Sequence, residues 1–142
     1  MIALLLVACA APSAATPEAE SPDPGLQRAG WTLVTASDET FVYMKDAPGS
    51  GADGVRRAYT LYDSARKRDR AGFAFMSVRS LSEFHCGRKI TRVVQETFYE
   101  KRGLRGVTWE PPAFVPTDWA EAEGGSVGEF RMAFACRARS LT

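Results

Sequence analysis

Cys86 and Cys136 stand 50 residues apart in a chain of 142 residues whose only other cysteine is Cys9. A bond between them would tie the middle of the chain to its last element and would require an oxidising compartment. Left as thiols, they would be two small buried hydrophobes of a cytosolic protein. The choice turns on how the chain begins.

Residues 2–8, IALLLVA, form a short apolar run that ends in Leu6-Val7-Ala8-Cys9. Leu three places before a cysteine, with a small residue just ahead of it, is the pattern of a bacterial lipobox. The peptide bond before Cys9 would be cut and its thiol acylated, so that lipid chains replace the signal as the anchor. No Lys or Arg precedes the run and it is short for a signal core, as would follow from a start codon placed too far downstream. Read otherwise, Ile2 to Val7 is a buried first strand and Cys9 an ordinary thiol. The next stretch, APSAATPEAESPDPG, opposes that alternative, because it offers almost nothing a core could use. Four prolines among Ala, Ser, Thr and Glu cannot bury enough apolar surface to offset ordering. Residues 1–8 are therefore expected to be a signal peptide, 9–29 a lipidated cysteine with a disordered tether, and 30–142 one globular domain. Ala10 after the anchor cysteine fits the outer membrane as destination.

The charge is distributed unevenly. Val55 to Arg105 carries thirteen Lys or Arg against five carboxylates, although the whole chain has a net charge of +1. Its densest cluster is Arg66, Lys67, Arg68 and Arg70. Such a block is either a solvated sheet face or a contact for an anionic partner.

Strand signals dominate the domain. Trp31 to Ala36 and Thr40 to Lys45 are aromatic and β-branched runs around a polar turn, a hairpin in which Trp31, Leu33, Phe41 and Tyr43 share a buried face. Val55 to Tyr62 resumes the pattern, and the charged Asp63 to Arg70 is expected to be a hairpin tip. Gly72 to Phe84 changes parity, with Phe73 and Phe75 on one face and Met76, Val78 and Phe84 on the other, which calls for a bulge or for cover on both sides. Arg88 to Glu100 follows as its partner, then Val107 to Trp109. The prolines 111, 112 and 116 break any ladder there. Ser126-x-x-Glu129 has the spacing of a capping box. It opens a helix expected over Val127 to Arg137, packing Val127, Phe130 and Phe134 on the sheet, with Arg137 and Arg139 against its dipole. The fold class is thus α+β: an antiparallel sheet of about six strands packed on one C-terminal helix.

The chemistry of an enzyme is not apparent. His85 is the only histidine, Gly49-Ser50-Gly51 lacks the context of a phosphate loop, and Glu121 and Glu123 lie in a Gly-rich loop. No metal, cofactor or nucleic acid is expected. With Cys9 lipidated, the remaining cysteines form a pair, so a Cys86–Cys136 disulfide is the simplest assignment.

The arrangement resembles the surface-adhesin protein E-like domains of Gram-negative bacteria. The resemblance is carried by Trp31, the Tyr43 strand, Ser77-Val78-Arg79 running into Cys86, Phe98-Tyr99 followed by Gly103, and Trp119 leading through Gly125-Ser126 to Cys136. It implies a sheet packed on a helix, the two cysteines bonded and, for the family's namesake, adhesion to host extracellular-matrix and serum proteins. The expected function is that of a lipid-anchored interaction domain at the cell surface, meeting extracellular or host proteins, with a strand edge free for self-association. The alternative is a module that binds a small ligand or an anionic envelope glycolipid.

Overall fold

A computed structural model describes residues 21–49, 54–122 and 124–138. The signal-like segment, Cys9, the tether before residue 21 and Arg139 lie outside these residues. A short helix α1 (Pro24–Arg28) leads into seven strands: β1 (Thr32–Ala36), β2 (Thr40–Asp46), β3 (Val55–Arg70), β4 (Phe73–His85), β5 (Ile90–Lys101), β6 (Arg105–Trp109) and β7 (Ala120–Glu121). Helix α2 (Val127–Ala135) closes the chain. The first six strands pair antiparallel in chain order, and β7 pairs with β5 at Ile90 and Thr91. This is the expected α+β architecture, with the sheet one short strand larger.

Each face of the sheet has its own core. Tyr43 and Met44 are adjacent on β2, so their side chains point to opposite faces, and both are fully buried. On one face Tyr43 and Leu61 pack with Trp31 and Leu26, flanked by Leu33 and Phe41. This is the face expected from the first hairpin. On the other, Met44, Ala58 and Phe84 pack against Met132 and Ala135 of α2. Full burial of a large apolar side chain contributes about 1.5 to 3 kcal/mol, so a few such residues on each face outweigh any single surface contact.

Composition assigns residues up to 29 to the tether, but the fold begins earlier. Asp23 is the N-cap of α1, its carboxylate accepting from the Gly25 N–H at 2.7 Å, while its own N–H donates to the Tyr43 hydroxyl at 3.0 Å. Those bonds seat Leu26 in the core beside Trp31. A single Leu in a Pro-rich stretch has no periodicity to announce it.

Asp63 to Arg70 is not a hairpin tip. These residues continue β3, and the turn falls at Ala71-Gly72, both at positive φ (50° and 82°), as a two-residue hairpin loop with the strand twist requires. Only Ala65 to Arg70 are exposed; Asp63 and Ser64 are buried. Pairing with β2 ends at Thr40 opposite Ser64, so the end of β3 and the start of β4 project past the rest of the sheet as an arm. The register breaks between Asp63 and Arg68 opposite Ser77 and Phe75, which is the irregularity that the parity change in β4 calls for.

Helix α2 starts where expected but is rolled. Its buried residues are Arg131, Met132 and Ala135, whereas Val127 and Phe130 are 39% and 48% exposed. Two attachments set the roll. Cys136, the C-cap, is bonded to Cys86 at the end of β4, and Arg131 reaches into the sheet to donate to the Thr60 and Ser82 hydroxyls at 3.0 and 2.8 Å. Positions 131, 132 and 135 satisfy helical spacing as well as 127, 130 and 134 do, so the attachments decide. The Glu129 carboxylate, in the first turn, accepts from the Gly125 N–H.

Candidate binding site

Most charged groups on this sheet are consumed in holding it together. Asp63, buried in the middle of β3, accepts from the Gly103 N–H at 2.8 Å and pairs with Arg102 at 2.9 Å. Burial raises its pKa above the usual carboxylate value, and the Gly103 hydrogen bond offsets part of that. Glu83, also buried, lies between Arg57 and Arg92 at 2.8 and 2.7 Å. Burial alone would raise its pKa; the hydrogen bonds and charges of the two arginines more than offset it, so the pKa is lowered. The Arg92 guanidinium also lies 4.8 Å from the centre of the Trp119 ring. His85 accepts from the Arg88 N–H at 3.2 Å and so shapes a turn. Among the described residues no three His, Cys, Asp or Glu side chains gather as metal ligands.

Cys86 and Cys136 are joined in a disulfide, their Cα atoms 5.6 Å apart. The bond pins the end of α2 to the end of β4. The nine residues of α2 are about 14 Å long, whereas the thirteen of β4 run about 43 Å. Among the described residues the helix therefore covers only the half of its face that holds Ala58 and Phe84.

The other half is a trough. One hollow of about 210 Å³ is lined by Tyr62, Arg68, Arg70, Phe75, Val78 and Phe98, among others. A second, of about 250 Å³, shares Thr40 and Tyr62 with it and runs to Val127 at the start of α2. The broken register of the arm carries Phe75 to within 4.9 Å of Phe98, edge to face, and stacks Phe73 on Trp109 at 6.1 Å. Thr40, Ser64 and Ser80 add hydroxyls to the lining.

The structure separates the four residues of the basic cluster. Arg66 pairs with Glu39 at 2.7 Å, and Arg70 pairs with Glu96 at 2.8 Å while lying over the Phe98 ring. Arg68 lines the trough, whereas Lys67, its neighbour on the strand, is exposed outside the lining; among the described residues no carboxylate pairs with either. The trough itself was not expected from the sequence. Its one advance sign is the parity change in β4, which marks the bend but not the wall it builds.

The family profile described as surface-adhesin protein E matches residues 31–137, from the Trp just before β1 to just beyond Cys136. The chain belongs to the surface-adhesin protein E family. Membership makes it an adhesin-like protein of the cell surface. Two solved structures of Haemophilus influenzae protein E, one of them crystal form II, are similar to it at a TM-score of 0.61 and 10% identity. The alignments cover 86% of this chain and 94% and 90% of the others. At that identity the likeness concerns the fold: a sheet and helix in the manner of protein E. No curated protein sequence matches the chain significantly.

Proposed function

We propose that this surface-adhesin protein E family member is a lipid-anchored adhesive domain of the outer membrane that binds extracellular or host proteins without catalysis. The observation that carries the reading is the family match over residues 31–137, which takes in the whole sheet, α2 and both bonded cysteines. The disulfide supports an oxidising location, as an exported protein requires. The anchor rests on Leu6-Val7-Ala8-Cys9, with the Pro-rich residues that follow as the spacer. The contact surface of this reading is the sheet face with the trough, opposite the face on which α1 packs.

The test is adhesion of cells that carry the protein, against cells that lack it, to immobilised extracellular-matrix and serum proteins. Loss of adhesion on removal of the protein, restored by returning it, is expected. Equal adhesion by both cell types overturns the reading.

A further inference from the structure

The trough on the α2 face of the sheet combines three properties that together specify an occupant. Its floor is apolar and only half buried: Phe75, Met76, Val78 and Tyr62 all retain exposure. Partly exposed aromatic and aliphatic groups clustered in a concavity are the usual anchor points of a protein interface. Its rim has a small positive excess, since the Arg70 charge is met by Glu96 while Arg68 has no carboxylate partner among the described residues. Its shape is elongated, two hollows joined at Thr40 and Tyr62 and running from the arm to the first turn of α2.

We propose that this trough takes an extended, acidic segment of a partner polypeptide, with a carboxylate against Arg68 and an apolar side chain against Phe75 and Phe98. The proposal deepens the adhesive reading by naming its contact surface and rests on that reading. Charge complementarity selects an acidic occupant. The paired state of Arg66 and Arg70 argues against a highly sulfated glycan, which gains its affinity from rows of uncompensated cations and has no aliphatic or aromatic group to place on Phe75. The hydroxyls of Thr40 and Ser80 supply neutral partners for the backbone of an extended chain. Arg70, held by Glu96 and lying over Phe98, keeps that aromatic wall in place before binding, which lowers the ordering cost.

The experiment uses the full-length chain in detergent and three fluorescent probes: a random copolymer of glutamate and tyrosine, polyglutamate, and heparin. Variants are Arg68→Glu, which reverses the unpaired rim charge, and Thr40→Trp, which fills the junction of the hollows. The copolymer is expected to bind more tightly than polyglutamate or heparin, and each variant is expected to weaken it about tenfold or more at unchanged melting temperature. Heparin bound as tightly as the copolymer, copolymer binding unchanged in both variants, or no binding of the copolymer at all overturns the proposal. Cell adhesion measured in parallel separates the two levels. Adhesion that survives both variants removes the trough while the adhesive reading stands. Copolymer binding by a protein whose presence does not alter cell adhesion removes the adhesive reading while the trough stands.

Discussion

The Arg70 guanidinium lies 4.9 Å from the centre of the Phe98 ring while its NH1 donates to Glu96 at 2.8 Å. One side chain thus bridges the projecting arm and β5, and it does so partly exposed to solvent. Both contacts are of the kind that contribute little to global stability when exposed, about 1 kcal/mol or less each. Arg70→Ala is therefore expected to lower the free energy of unfolding by no more than about 1 to 2 kcal/mol. Hydrogen exchange should locate the loss in the arm, Ala65 to Met76; uniform loss of protection through β2 and β5 would contradict it.

The disulfide closes a loop of 50 residues. In the chain-entropy account, such a closure stabilises by about 4 kcal/mol, a large share of the stability of a small domain. Cys86→Ser and Cys136→Ser should each destabilise by a comparable amount and by nearly the same amount as the double variant, because either one opens the same loop. Chemical denaturation of the three variants checks this, and additive single effects would contradict it.

Leu26 is 6% exposed and packs with Trp31 in a segment whose composition resembles a linker. Leu26→Ala is expected to cost about 2 to 3 kcal/mol, as for other buried leucines. Deleting the chain up to residue 29 should cost at least as much. A truncated protein as stable as the full chain would return α1 to the tether.

Glu83 and Asp63 should give stability opposite dependences on pH. The folded pKa of Glu83 is below its ordinary 4.5, so its stabilisation is present above 4.5 and is lost as the pH falls through the folded value. The folded pKa of Asp63 is above its ordinary 3.8, so its contribution is full below 3.8 and is lost as the pH rises through the raised value. The advantage of the wild-type protein over Glu83→Gln should therefore grow from low to neutral pH, while its advantage over Asp63→Asn shrinks. Urea unfolding across that range measures both differences, and changes of the same sign would contradict the assignment.

The anchor is tested by mass. Membrane-extracted native protein should begin at Cys9, carry two or three acyl chains, and show no free thiol until reduced. Cys9→Ala should leave the chain unprocessed. An unacylated wild-type chain with three free thiols would contradict both anchor and export.

What could be read in advance follows from the range over which each residue's partners lie. The strands, the face shared by Trp31, Leu33, Phe41 and Tyr43 and the break in β4 express local alternation, and all appear in the sheet. Cys86 and Cys136 were legible because a cysteine pair in an exported chain has few alternatives. Asp63 was misplaced because its charge is met by Arg102 and Gly103, 39 and 40 residues away, which no local window contains. The roll of α2 was misjudged for the same reason. Val127, Phe130 and Phe134 make the more apolar stripe, yet Arg131 finds Thr60 and Ser82 across the sheet and turns Val127 and Phe130 toward solvent, leaving Phe134 packed against the core. The trough depends on helix length, arm bend and register together, and its one local sign is the parity change in β4.

The most direct measurement of the central claim is competition. Purified, lipid-free protein is titrated against adhesion of cells that display the full chain to immobilised extracellular-matrix and serum proteins. An adhesive surface domain predicts saturable binding of the purified protein to those ligands and a matching, dose-dependent block of cell adhesion. Absence of binding, with adhesion unaffected at any concentration of the purified protein, would contradict it.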